Sequence, residues 1–179
     1  MTVITVGPGA IMRAGSQYID SSLTALDTHS PANATGKLNT AEFYASSSGT
    51  GLKVGTFYGS ALSWTYRAQA ALGNLAGGSK QTFTGLSFDV SLNDILGIHI
   101  DGGVVNLYSS GSGGCLGKTG DHFTAEGAQT YVDLGGYTTS IYASGSGSDV
   151  VGKTNKFISI GDRRIKRHRS FFRKNLKLK

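Results

Sequence analysis

Residues 86–100, LSFDVSLNDILGIHI, carry the clearest structural signal in this sequence. Their first half alternates between apolar and polar residues, which predicts an inward-facing set of Leu86, Phe88, Val90 and Leu92. Their second half places Leu96, Ile98 and Ile100 together on one side of a second strand. A period of two residues is typical of half-buried antiparallel strands, so we expect two such strands joined by a short turn.

The same alternation recurs along the chain between turns that are rich in glycine and serine. In GLKVGTFYGS (residues 51–60), Leu52, Val54 and Thr56 share one face. The segment WTYRAQAALGNL (64–75) also alternates, and we favour a strand there although Ala and Gln are good helix formers. Residues 15–33 differ, and they predict a short helix or a long loop. The overall pattern predicts an all-β antiparallel sandwich or barrel.

The stretch from Lys53 to Ile100, with its segments VGTFY, GSKQTF and ILGIHI, resembles a β-sandwich module of bacteriophage-type and metagenomic structural proteins. Residues 120–147 resemble the closing hairpin of that module. The resemblance covers residues 1–147 and implies a jelly-roll-like domain in a virion accessory protein, for decoration or for a tail. One departure is Leu92-Asn93-Asp94, where the module has a Gly-Asp turn. Asn tolerates the left-handed conformation, so we expect the turn to be kept.

Charge divides the chain into regions that need different explanations. The net charge is +6, but residues 163–179 hold nine of the 17 Lys and Arg residues and no acid. Residues 1–162 therefore have 17 − 9 = 8 bases against 11 acids, a net charge of −3. We predict a sandwich domain at 1–148, a linker with a final strand at 149–162, and a basic C-terminal arm at 163–179.

The arm mixes cations with large apolar residues. Its predicted partner-binding residues are Arg163, Arg164, Ile165, Lys166, Arg167, Arg169, Phe171, Phe172, Arg173, Lys174, Leu176, Lys177 and Lys179. Such a segment fits nucleic acid, an anionic membrane surface or a neighbouring subunit. A tail that only aids solubility usually holds fewer large apolar residues. We therefore expect it to bind neighbouring copies or other virion proteins, with nucleic acid as the second choice.

No motif in the sequence predicts a catalytic centre, a cofactor or a metal site. The four His residues lack ligand spacing, and the lone Cys115 predicts a buried, unreactive thiol. Gly117-Lys118-Thr119 ends like a phosphate-binding loop, but no helix-forming sequence follows it, so we expect a hairpin loop there. No stretch is long and apolar enough to span a membrane, and the N-terminus does not resemble a secretory signal.

The sequence thus predicts a phage virion structural protein, made in the host cytoplasm, that is not an enzyme. It would decorate or cement a capsid or tail as a homo-oligomer or as part of a large assembly. The alternative is a carbohydrate- or receptor-binding module, in which Trp64, Tyr66 and Tyr108 would stack on a glycan, although such aromatic residues more often fill a core. A glycan hydrolase would require two carboxylates that face each other across a cleft.

Overall fold

The computed structural model describes residues 1–13, 17–19, 23–102, 105–109 and 114–147, and only the backbone of 17–19 and 105–109. The chain divides into two units, Met1–Asp149 and Val150–Lys179, and all described residues belong to the first. The described residues form strands and contain no helix. The strands are β1 Thr2–Val6, β2 Gln17–Ile19, β3 Leu23–Asp27, β4 Gly36–Ala45, β5 Gly49–Ser60, β6 Ser63–Leu75, β7 Ser79–Val90, β8 Ile95–His99, β9 Val105–Ser109, β10 Cys115–Thr119, β11 Gln129–Thr130, β12 Val132–Asp133, β13 Tyr137–Thr139 and β14 Ile141–Gly147.

Eight of these strands have the connectivity of a jelly roll. One sheet has the order β1-β14-β4-β7, and the facing sheet has the order β3-β8-β5-β6. All of these pairs are antiparallel, and the chain passes between the sheets in the sequence that two Greek keys require. The prediction of an all-β, jelly-roll-like sandwich is therefore confirmed.

The long connection between β8 and β14 changes the second sheet. Strand β10 pairs with β3, at one edge of this sheet, and β11 pairs with β6, at the opposite edge. Strand β12 pairs with β10, and only Tyr131 separates β11 from β12. Residues 129–133, which we call the closing segment, therefore hold both edges of the sheet and close it into a small barrel.

Two hydrophobic cores result, one on each face of the second sheet. The sandwich core lies between the two sheets and includes Phe43, Val54, Leu96 and Ile98. The aromatic core lies inside the closed sheet and consists of Leu26, Phe57, Trp64, Ile95, Leu116, Phe123 and Tyr131. Strand β8 is buried on both faces, because its alternate side chains enter different cores.

Two glycines on neighbouring strands give the aromatic core its space. Gly55 of β5 is the register partner of Gly97 of β8. A Cβ at Gly55 would lie 2.8 Å from the ring of Phe123, and a Cβ at Gly97 would lie 2.6 Å from a methyl group of Leu26. Both distances are too short for van der Waals contact, so larger residues at these two positions would displace the aromatic core.

Several local predictions are corrected or confirmed by the strands. The helix or long loop expected at 15–33 is wrong, because residues 17–19 and 23–27 form β2 and β3. Leu92 was expected to face inward, but it is 56% exposed because β7 ends two residues earlier. Residues 64–75 form a strand as predicted. Asn93 adopts φ = 69°, so the turn without glycine is kept.

Candidate functional site

At one end of the sandwich, hydrogen bonds join three loops of the described part of the chain. The turn at 46–48 connects β4 to β5, the turn at 76–78 connects β6 to β7, and residues 100–102 follow β8. The backbone N–H of Gly78 donates to the carbonyl of Ala45 at 2.8 Å, and that of Gly77 donates to the Ser48 hydroxyl at 3.2 Å. A Cβ at Gly77 would lie 2.6 Å from the Ser47 backbone, so only glycine lets the two turns meet.

Hydrogen bonds also hold the start of β5 to residue 102 and the second turn to β7. Thr50 and Gly102 exchange backbone hydrogen bonds of 2.8 Å and 3.2 Å. The Gln81 side chain accepts a hydrogen bond from the Ala76 N–H at 2.8 Å and donates one to the Ala76 carbonyl. The amide of Gln81 therefore holds the second turn against β7, and hydrogen bonds link the three loops into one frame.

Within this frame lies an open depression of about 650 Å³, which we call the end depression. Its floor includes the buried Leu75, and its rim includes the exposed side chains of Ser48, Thr50 and Asn74. Every described residue that lines the end depression is uncharged. Such a surface offers hydroxyl and amide groups to a ligand but no fixed charge.

The aromatic residues predicted to stack on a glycan lie elsewhere. Trp64 is 6% exposed in the aromatic core, and its indole N–H donates to the Ala61 carbonyl at 3.0 Å. Tyr66 is half-buried and meets Phe57 edge-on, with 5.9 Å between the ring centroids. Burial counts against Trp64 as a stacking surface. Tyr108 belongs to β9, and its side chain lies outside the described residues.

The exposed aromatic residue at the opposite end of the sandwich is Tyr58. It is 45% exposed, and the guanidinium of Arg67 lies 4.6 Å from its ring centroid. The buried carboxylate of Asp94 accepts a hydrogen bond from Nη2 of Arg67 at 3.1 Å and another from the Ser91 N–H at 2.8 Å. Arg67 therefore ties β6 to the turn before β8, which gives it a structural role.

Charged groups also fasten the segment that follows β10. Lys53 of β5 donates a hydrogen bond to the carboxylate of Asp121, which also accepts one from the Phe123 N–H at 3.0 Å. Burial alone would raise the pKa of Asp121, but these two hydrogen bonds and the Lys53 charge lower it below its usual value. The ion pair fixes the chain just before Phe123 enters the aromatic core.

A buried carboxylate lies beside the only cysteine of the chain. Asp27 is fully buried and accepts hydrogen bonds of 2.9 Å from both the N–H and the hydroxyl of Thr139. Burial raises the pKa of the Cys115 thiol, and the nearby carboxylates of Asp27 and Asp133 raise it further. The predicted burial of Cys115 is confirmed, and a thiol with a raised pKa stays protonated, which makes it a poor nucleophile.

The residues that resemble the end of a phosphate-binding loop lie on a strand. Gly117, Lys118 and Thr119 are part of β10, so the predicted hairpin loop at this position is wrong. The Lys118 ammonium donates to the Thr130 carbonyl at 3.2 Å. No helix of the described residues begins after Thr119 to supply the backbone N–H groups that bind phosphate.

The predicted arm at 163–179 and the linker with its final strand at 149–162 lie outside the described residues, so these predictions stay open. In the described part of the chain, no three His, Cys, Asp or Glu side chains form a group that would hold a metal ion. No helix in the described ranges has the length and apolar character to cross a membrane.

Comparison with known proteins adds no relative to this picture. No family model, no curated protein and no solved structure matches the chain. The features that bear on function are therefore those of the molecule itself. They are the jelly-roll connectivity, the basic segment that follows it, and the uncharged end depression.

Proposed function

We propose that the chain is a structural protein of a bacteriophage-type virion, where it decorates or cements a capsid or tail. The observation that carries this proposal is the position of the basic arm. The eighth strand of the described jelly roll ends at Gly147, and the sequence then continues to a segment with nine Lys and Arg residues and no acid. A domain of this kind with a basic extension would occupy a place in a particle while the extension grips its neighbours.

The fold supports the proposal, and the arm makes it specific. Jelly rolls occur in viral capsid proteins, in lectin domains and in cupins, so the connectivity by itself admits several functions. The arm differs in charge from residues 1–162, which carry a net charge of −3. A segment of such opposite charge favours association with copies of the same protein or with other virion proteins.

Deletion of residues 163–179 tests the role of the arm. We expect the truncated protein to fold, because the described jelly roll ends before the arm begins. We also expect its occupancy in particles purified from the producing host to fall at least tenfold, by quantitative mass spectrometry against the major shell protein. Far-ultraviolet circular dichroism provides the folding control. Unchanged occupancy would contradict the proposal.

A second variant separates the two kinds of partner. Replacing Phe171, Phe172 and Leu176 by Ser removes three apolar anchors and keeps all nine cations. Protein docking predicts a loss of incorporation in this variant, whereas nucleic-acid binding predicts retention with strong salt dependence. If the variant is still incorporated and binds nucleic acid in a salt-dependent way, the partner of the arm is the genome and not a neighbouring subunit.

The second candidate function is a carbohydrate- or receptor-binding module. The observation that favours it is the uncharged, open end depression with exposed hydroxyl and amide groups on its rim. This location differs from the stacking surface that the sequence predicts, since Trp64 is buried. Both functions are compatible in one virion protein, because the end depression and the arm use different residues.

A further inference from the structure

We propose that the end depression binds a neutral saccharide through Ser48, Thr50 and Asn74. This proposal rests on the second candidate function and specifies its ligand class and location. It does not depend on the arm or on incorporation into a particle, so the two proposals fail separately.

The loop frame is preorganised for a ligand. The Gly77–Ser48 and Gly78–Ala45 hydrogen bonds join the two turns, and the Gln81 amide clamps both backbone groups of Ala76. Ligand binding in such a frame requires little ordering of the loops. Weak hydrogen bonds to sugar hydroxyls therefore lose less of their free energy to conformational entropy.

The rim supplies unused hydrogen-bonding groups of the right kind. The side chains of Thr50 and Asn74 are exposed and have no hydrogen-bond partner in the described residues. The Ser48 oxygen accepts a hydrogen bond from Gly77, which leaves its O–H available to a ligand. An Asn amide both donates and accepts, as does a hydroxyl, and this matches the paired donor and acceptor character of sugar hydroxyls.

The absence of charge in the described lining selects among ligand classes. The nearest cation in sequence, Lys80, forms an ion pair with Glu42 at 3.1 Å. Asp101, beside Gly102, lies 3.3 Å from the His99 ring nitrogen. Because neither charge lines the end depression, a phosphate or a sulfated ligand has no counter-charge there, while a neutral saccharide needs none.

The test uses the full chain and a panel of neutral oligosaccharides built from glucose, galactose, mannose and N-acetylhexosamines. Saturation-transfer NMR identifies binders, and ¹H–¹⁵N shift changes locate them. We expect saturable binding with shifts at residues 48–50, 74–76, 81 and 102. Asn74→Ala and Thr50→Val should each weaken binding about tenfold, as loss of a hydrogen-bonding group to a ligand typically does. Asn74→Trp should block the depression.

The matched control is Asn39→Ala, because Asn39 is an exposed residue of β4 that does not line the end depression. It should bind as wild type does. Each variant is checked for an unchanged melting temperature, so that a loss of binding is not a loss of folding. The proposal is overturned if no panel member binds, if the shifts map elsewhere, or if folded Asn74→Ala retains full affinity. A preference for sulfated oligosaccharides that disappears on deletion of 163–179 would assign binding to the arm and would also overturn it.

Discussion

The two cores of this domain lie on opposite faces of the same strands, yet they differ in composition and in construction. The sandwich core is mostly aliphatic and joins residues of both sheets. Four of the seven buried residues of the aromatic core are Phe, Tyr or Trp. Two of these four, Phe123 and Tyr131, come from the long connection between β8 and β14. The sandwich core belongs to the jelly roll itself. The aromatic core exists because the connection between β8 and β14, which includes the closing segment, closes one of the two sheets.

This difference suggests that the aromatic core can open while the sandwich persists. Phe123 is fully buried, and its ring lies 5.3 Å from that of Phe57, edge to face. We expect Phe123→Ala to destabilise the aromatic core by about 3–5 kcal/mol, the range for truncation of a buried Phe. In native-state hydrogen exchange, amides of β10 and the closing segment should lose protection while those of β4 and β14 keep it.

The matched variant in the sandwich core is Phe43→Ala, because Phe43 is equally buried. It should lower protection throughout the domain by a similar free energy, since every strand depends on the sandwich. If Phe123→Ala instead lowers protection equally in β4, β14 and β10, the two cores unfold as one unit and the distinction between them is lost.

A smaller effect is expected where the aromatic core meets the strand backbone. Gly55→Ala would place a Cβ 2.8 Å from the Phe123 ring and also too close to the Ala68 carbonyl oxygen. Overpacking of this kind costs about 1–3 kcal/mol. Chemical denaturation measures the loss. Gly85→Ala gives a useful contrast, because a Cβ there has open space and the cost arises only from φ = 73°.

If overpacking against Phe123 causes the loss of stability in Gly55→Ala, a smaller residue at position 123 should reduce that loss. The double variant Gly55→Ala with Phe123→Leu should lose less stability than the sum of the two single variants, because a smaller side chain leaves room for the new methyl group. Strict additivity would show that the Gly55 contact with Phe123 is not the source of the loss.

The smallest effect is electrostatic and concerns the ion pair between Lys53 of β5 and Asp121, just before Phe123. The pKa of Asp121 is lowered in the folded domain, so its ion pair with Lys53 stabilises the fold above the ordinary value of 3.8. This contribution is lost as the pH falls through the lowered folded pKa. We expect Asp121→Asn to lower the free energy of unfolding by less than about 1 kcal/mol at neutral pH. Below pH 4, the stability of this variant should fall less steeply with pH than that of wild type.

Lys53→Gln should also reduce the loss of stability at low pH, because it removes the Lys53 hydrogen bond and charge that lower the pKa of Asp121, although the hydrogen bond from the Phe123 N–H remains. Thermal melting from pH 2 to pH 7 provides the measurement. If the melting temperatures of both variants fall at low pH as steeply as that of wild type, this pair does not contribute to the pH dependence of stability.

The sequence predicts the sandwich core better than the aromatic core for a physical reason. Strict alternation in β7 and β8 identifies which residues face the other sheet, and Leu96 and Ile98 lie in the sandwich core as expected. The opposite face of β8 looks half apolar in sequence, and nothing local indicates that it is covered. Its cover comes from Phe123 and Tyr131, which lie over twenty residues further along the chain.

The candidate site is also hard to predict from the sequence, because it too depends on residues that are distant along the chain. Trp64 is conspicuous in the sequence, but whether an aromatic ring on a strand is exposed depends on distant residues that cover it. The end depression is made by turns near residues 48, 76 and 102, none of which forms a recognisable motif. The only local signs are the glycines in those turns, such as Gly77, whose role appears only when the two turns are seen together.

The closing segment also limits where another chain could add a strand to this sheet. An unpaired strand edge is a template on which another chain can add a strand, and such edges lead to strand exchange and aggregation. Residues 129–133 cover Ser63 and Trp64 on β6 and also Leu116 and Gly117 on β10. Five consecutive residues thus cover part of two strand edges at once. Strand addition by a second copy is therefore blocked at these four positions, where the backbone groups of β6 and β10 already have partners.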